Sequence, residues 1–189
     1  MHPMTADEVK KILGLAPHPR EGGWYVRTYE SGEMLPAEVF ARRGPAGRYA
    51  GPRHTATAIY YLLEPGTFSE MHRLRSDEIF HFYAGDTVEM LQLHADGSGT
   101  VVRIGNNLAA GERPQVVVPR GVWQGSRLAA GGPAAGGPVK AGAWALLGCS
   151  VSPGFDFEDY EAAGREELCA QWPGFRTLIH ELTRSAPRR

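Results

Sequence analysis

Apolar and polar residues alternate with a period of two through much of this chain, in runs of four to nine residues, and that period predicts strands. The runs are Trp24–Tyr29, Thr57–Leu63, Glu78–Tyr83, Val88–His94, Thr100–Ile104, Gln115–Val118 and Ala143–Val151. Turn formers separate nearly all of them: Glu64-Pro65-Gly66, Ala84-Gly85-Asp86, Asp96-Gly97-Ser98-Gly99 and Gly105-Asn106-Asn107. Regularly spaced short strands of this kind predict a sandwich or barrel. The ends of the chain follow a different period. Thr5-Ala6-Asp7-Glu8 reads as a capping box, and Val9, Ile12, Leu13 and Ala16 give an apolar helical stripe that Gly14 and Pro17 close, so a helix is expected over about 6–14. After Pro153-Gly154 the pattern is helical again. Glu158–Ala170 is one candidate, and Pro173 opens another with Phe175, Leu178, Ile179 and Leu182 at i, i+3, i+4 and i+7. These helices are expected against the outside of the barrel. Residues 32–54 read as a long loop with one helical turn.

Composition sharpens the picture. The 24 glycines and 14 prolines form a fifth of the 189 residues, which argues against a helical bundle. Residues 129–142, AAGGPAAGGPVKAG, read as a flexible surface loop. One domain is expected, with a barrel core over about 21–152 and C-terminal helices over about 157–184. Twenty basic and 21 acidic residues leave a net charge of −1, which removes the usual reason to expect nucleic-acid or anionic-membrane partners. The longest apolar run, Ala58–Leu63, is too short to span a bilayer. Cys149 and Cys169 are too few for a disulfide framework and are expected as buried, inert thiols. The start of the chain has no basic and apolar leader pattern. A soluble, cytoplasmic protein is the expectation.

The segment richest in chemistry is Gly66-Thr67-Phe68-Ser69-Glu70-Met71-His72-Arg73-Leu74-Arg75-Ser76-Asp77-Glu78, running on to Gly85. It resembles the first motif of the cupins, G-x5-H-x-H-x3-4-E-x6-G, with Gly66, His72, Glu78 and Gly85 at the motif's spacing. Pro119-Arg120-Gly121-Val122-Trp123-Gln124 resembles the core of the second, P-x-G-x-x-H. Further blocks resemble the cupin subfamily DUF985, or Cupin_5. They are Pro17-His18-Pro19 with Glu21-Gly22-Gly23, Thr57–Leu63, and Val151–Asp159. The resemblance implies a mainly β double-stranded β-helix, a jelly-roll barrel with short terminal helices, forming a homodimer whose reaction is not established. Trp24–Tyr29 is then expected as an edge strand at or near the subunit interface.

The departures from the motif narrow the chemistry. Leu74 stands where the motif has its second histidine, and Gln124 where the second motif has its own. One imidazole, one carboxylate and one amide remain. His72 and Glu78 can hold a divalent ion between them, with Gln124 as a weak third ligand. They can also serve as a proton-transfer pair beside an organic ligand. No tightly bound cofactor is expected, since leucine cannot ligate. Strand alternation puts Phe80 and Phe82 on Glu78's side, as expected ligand-binding walls, and His81 on the opposite face. Gln124 either lines the pocket or holds His72 or Glu78. His18 and His94 read as loop or strand-end residues, Arg120 as a solvated rim residue, and the acids from Asp156 to Glu161 as a solvated helix start.

Three functions stay open on this reading. The resemblance extends in fold to cupin epimerases of nucleotide-linked sugars, which use a histidine base and a tyrosine acid without a metal. His72 with Glu78 can act so on a sugar or sugar nucleotide, with Tyr60, Tyr61 and Tyr83 as candidates for the tyrosine. The alternatives are a non-catalytic small-ligand-binding protein and a weakly metal-dependent enzyme.

Overall fold

The computed structural model describes residues 4–41, 48–49, 51–130 and 139–184; most of the 129–142 loop expectation lies outside them. In chain order the strands are β1 (Ala16–Pro17), β2 (Trp24–Glu30), β3 (Met34–Leu35), β4 (Arg53–His54), β5 (Thr57–Leu63), β6 (Phe68–Arg73) and β7 (Asp77–Gly85). They continue with β8 (Val88–Leu93), β9 (Gly99–Ile104), β10 (Gln115–Val118), β11 (Trp123–Leu128), β12 (Ala145–Ser152) and β13 (Glu161–Ala162). The helices are α1 (Ala6–Leu13), α2 (Glu38–Ala41), α3 (Arg165–Gln171) and α4 (Arg176–Glu181).

Two antiparallel sheets make the barrel. One has the order β1-β2-β5-β12-β7-β10, the other β13-β6-β11-β8-β9. A core of Tyr61, Leu63, Phe80 and Leu147 from the first sheet and Val88, Met90, Ile104 and Leu128 from the second fills the space between them. The period-two pattern is what makes this core: on β8, Val88 and Met90 face inward, while Leu91 and Leu93 face outward under the C-terminal helices. The fold is the mainly β jelly roll expected of a cupin.

Both sheets are also covered outside. The Thr5–Glu8 capping box is present, and Gly14 ends α1 in the left-handed conformation. α1 buries Val9 against Leu62, Trp24 and Tyr60, whereas Ile12 of the expected stripe is 69% exposed. On the second sheet, Leu168, Cys169, Trp172, Ile179 and Leu182 pack over Met71, Leu91 and Leu93. The backbone of Met71 is held from the same side, its N–H donating to Leu182 and its C=O accepting from Ala163.

The helix expected over Glu158–Ala170 is corrected. A 3-10 turn spans Phe157–Asp159, β13 follows, and α3 begins only at Arg165. Tertiary demand wins over helical spacing here. Asp159 is drawn inward to Arg53, at 2.9 Å in a bidentate pair, and β13 pairs with β6. Asp159 is therefore buried, not solvated. Residues 32–54 contain the β3–β4 pairing as well as the expected helical turn, α2. β6 and β11, absent from the runs that alternation picks out, carry buried polar residues and so show no clean alternation: Ser69, His72, Gln124 and Ser126 are all buried.

Candidate functional site

The two strands without a clean pattern carry two of the three residues the motifs pointed to. β6 and β11 pair with His72 directly opposite Gln124, and the register slips between Gln124 and Ser126. Gly125 lies at that slip because a Cβ there would stand 2.7 Å from the Met71 sulfur and 3.1 Å from the Ser69 carbonyl. Glu78 enters from β7, whose alternation turns it inward. Gln124 Nε2 then donates to Glu78 Oε2 at 2.6 Å and lies 3.4 Å from His72 Nε2. His72 and Gln124 are 1% exposed and Glu78 7%. The structure brings the three together, but only His72 and Glu78 line the cavity; Gln124 braces them from behind.

The cavity envelope is ≈460 Å³ including its open mouth. It is a narrow cleft suited to a small ligand. Phe80 and Phe82 are not in its wall. Both point inward as alternation requires, yet they pack into the core, where side chains from both sheets fill the deeper barrel. The wall is built instead from Leu74, Ile59 and Cys149, with Tyr25, Phe155 and Phe157 nearer the mouth.

Two polar members of the wall, His18 and Glu21, lay outside the sequence expectations. They arrive on the segment before β2, folded over the barrel by Gly22 and Gly23 at φ +99° and +66°. A Cβ on Gly22 would meet the Phe68 carbonyl at 2.4 Å, and one on Gly23 the Leu62 carbonyl at 2.8 Å. Nothing local in Pro17-His18-Pro19 signals a contact with residues 72–78; the glycine pair and the family block that contains it were its traces in the sequence.

Backbone partners fix the two imidazoles in opposite tautomers. His72 Nδ1 lies 2.7 Å from the Glu70 carbonyl, which can only accept, so Nδ1 carries the proton. Nε2, a lone pair in the neutral ring, faces Gln124 and Glu78. In His18 the arrangement is reversed. Nδ1 accepts the Glu21 N–H at 2.8 Å, and the proton sits on Nε2, 3.8 Å from a Glu21 carboxylate oxygen. Burial holds His18 below its usual value, against the pull of Glu21.

The carboxyl of Glu78 is displaced the other way. Burial, reinforced by the charge of Glu21, pushes it up to about 7, against His72 and the hydrogen bonds from Gln124 and Cys149. Burial likewise pushes the Cys149 thiol up, which makes it a donor to Glu78 and no nucleophile. Tyr160 stacks on His72 at 4.9 Å between centroids and 21° between planes. Its hydroxyl and Gln124 Oε1 are buried without a hydrogen-bond partner among the described residues. None of the three tyrosines weighed from sequence lines the cavity. Tyr61 donates to the Gly22 carbonyl at 2.8 Å, while Tyr60 and Tyr83 meet edge to face on the sheet's outer surface. His81 is on that outer face too, 3.2 Å from Ser150 Oγ.

A metal ion fits this donor set poorly. Among the described residues no three His, Cys, Asp or Glu side chains group to hold one. Of the trio considered from sequence, Gln124 turns its N–H₂, a donor, toward the other two.

The Cupin_5 family model, described as "Cupin superfamily (DUF985)", matches residues 7–163. The chain belongs to this family. Among DUF985-like proteins, the uncharacterized protein YML079W of Saccharomyces cerevisiae is 29% identical over 150 residues, which are 79% of this chain and 71% of the yeast protein. Two solved structures are similar over nearly the whole fold. Protein SO0799 of Shewanella oneidensis has a TM-score of 0.76 at 34% identity, covering 96% of this chain and 99% of its own. A hypothetical protein from Leishmania major has 0.79 at 31%, covering 96% and 100%. These relatives name no substrate, so the activity of this DUF985 cupin has to be argued from its site.

Proposed function

We propose that the cavity binds a small polar molecule of sugar type and moves a proton on it, as an isomerase or epimerase that works without a metal ion. The observation that carries this reading is the His72–Glu78 pair. A tautomer-fixed imidazole presents its lone pair beside a carboxyl that titrates at about 7, in a narrow and mostly apolar cleft. The step is the removal of a proton from a carbon next to a carbonyl. The C–H electrons become an enolate and the proton goes to His72 Nε2. Its return to the same carbon regenerates substrate, its delivery to the neighbouring carbon gives the isomer, and inversion at the same carbon takes a proton from solvent on the opposite face. His18 Nε2–H and the protonated form of Glu78 are two of the cavity's donors that can serve the developing oxyanion.

The test follows carbon-bound hydrogen in D₂O by NMR, with a panel of aldoses, ketoses, their phosphates and nucleotide-linked sugars. The expected result is deuterium exchange next to the carbonyl of one member, falling about 10²- to 10⁴-fold in His72→Ala. Exchange indifferent to His72→Ala would refute the assignment of the base. Binding without exchange would favour the second reading, a non-catalytic ligand-binding protein. The mostly apolar wall, with Leu74, Ile59, Tyr25, Phe155 and Phe157, supports that alternative, since such a wall with few polar groups suits small-ligand capture.

Two further parts of the proposal concern its setting. A homodimer is proposed across the outer face of the first sheet, where Tyr29, Tyr83 and Val117 are 53%, 49% and 51% exposed. β1 covers only Trp24 and Tyr25 of the β2 edge there. Light scattering at micromolar concentration is expected to give twice the chain mass. The cytoplasm is proposed as its compartment, in keeping with two buried, unpaired cysteines. No helix among the described residues is long and apolar enough to cross a membrane.

A further inference from the structure

Leu74 has a second side. Outside the cavity it borders a rim groove lined by Arg48, Arg73, Arg75, Arg120, Asp159 and Glu161, with an envelope of ≈620 Å³. Four guanidinium groups face two carboxylates, and both carboxylates are already committed. Asp159 takes Nε and Nη2 of the buried Arg53 at 2.9 Å each. Glu161 takes Nε and Nη2 of Arg73 at 2.9 and 2.7 Å, while that guanidinium also lies over Trp123. The other acids nearby are occupied or outlying. Glu158, mostly exposed, approaches Arg53 at 3.6 Å, and Asp77 accepts the backbone N–H of Arg120 at 2.7 Å.

Three arginines are left with unused donors. Arg48 gives Nε to the Arg75 carbonyl at 2.7 Å, and Arg75 returns Nη1 to the Arg48 carbonyl at 3.3 Å. These bonds hold two like charges on one wall instead of letting them diverge. Arg75 reaches a carboxylate oxygen, that of Asp159, only at 3.9 Å. The Arg120 side chain makes no hydrogen bond or ion pair with any described residue. Convergence of guanidinium groups costs repulsion, and it is repaid when an anion sits among them.

We propose that this groove binds a phosphate-type oxyanion, held by Arg75, Arg120 and Arg48 on the opposite side of Leu74 from His72 and Glu78. A guanidinium offers paired N–H donors in a plane, which match two oxygens of a phosphate. The groove's arginines come from three separate parts of the chain, so they approach from different directions. That suits a tetrahedral group with several terminal oxygens better than a flat carboxylate. The cavity is the poorer place for such a group. It is lined by Glu21 and Glu78, and its arginine, Arg27, is paired with Glu30. This proposal stands whether the cavity is catalytic or only binds.

The test uses inorganic phosphate, pyrophosphate and glycerol phosphate, titrated by calorimetry at constant chloride and constant ionic strength. Saturable binding is expected at about 1 mM or tighter, and tighter for pyrophosphate. Arg120→Gln, which breaks no bond in the fold, is expected to weaken it about tenfold, with Arg75→Gln doing the same. His72→Ala is expected to leave it unchanged. Equal affinity for phosphate and its glycerol ester would assign recognition to the oxyanion alone; tighter ester binding would add a contact to the organic part. Absence of saturation, indifference to both arginine changes, or loss of binding in His72→Ala would overturn the proposal. The last outcome would move the anion into the cavity.

Discussion

The inner cavity and the arginine groove share one leucine as their partition, and they treat charge in opposite ways. In the cavity, ionisable groups are buried and set by neighbours. His72 and His18 have their tautomers fixed by the backbone, and Glu78 is pushed up to about 7 by burial. In the groove, guanidinium groups stay near water, always charged, and are held in place through carbonyls. The contrast is one of cost. A proton that must move gains from low dielectric, where each partner counts. A charge that must attract another is cheaper to keep at the rim, where little hydration is lost.

The largest expected effect tests whether the groove has a dry frame behind its wet rim. Arg53 and Asp159 form that frame, with side chains 5% and 2% exposed. Asp159→Ala leaves a guanidinium buried and unpaired, at an expected cost of about 3–5 kcal/mol in denaturant unfolding. A loss near zero would show the frame to be as hydrated as the rim, and would reduce the contrast to one of degree.

Next comes the pH dependence that only the cavity should show. The Glu78 carboxyl titrates at about 7 when folded and near 4.5 when unfolded. The folded state therefore holds this proton more tightly. Its contribution is complete below about pH 4.5 and is lost as pH rises through about 7, by about 3 kcal/mol in all. Glu78→Gln, neutral at every pH, should lack that slope, so the two unfolding curves should diverge between pH 5 and pH 8. Parallel curves would place Glu78 in water. The smallest effect falls on the partition. Leu74 is 6% exposed but borders open space on both sides, so Leu74→Ala should cost about 2 kcal/mol, the low end for such a change. In that variant pyrophosphate should begin to shift the His72 imidazole resonances. If it does not, more than one side chain separates the two sites.

The sequence read well wherever local physics decides the structure. The Thr5–Glu8 box stands as expected, and so do the alternating strands that line the main core, such as Thr57–Leu63 and Val88–Leu93. His72 and Glu78 were legible through their spacing, and they do meet. What stayed hidden depends on distant partners. β6 and β11 bury serine, histidine and glutamine, which breaks the pattern that reveals strands. His18 joins the cavity through a glycine turn and a backbone hydrogen bond. Tyr160 was read as part of a helix because its acidic neighbours resemble a first turn, yet Asp159 turns in to Arg53 and Tyr160 stacks on His72. Phe80 and Phe82 were assigned the right face but the wrong depth, because periodicity does not say where the core stops.

The strap on Met71 carries a consequence for how the protein is made. The backbone of this residue, next to His72, bonds to Leu182 and Ala163. A nascent chain leaves the ribosome in order, so the strands of both sheets through Ser152 emerge before either of those partners does. Until they arrive, the edge of β6 beyond Met71 is open and the apolar surface of Leu91 and Leu93 is bare, the combination that invites pairing with another chain. The strand that positions His72 is thus among the last to be secured, and the cavity matures after the barrel that houses it.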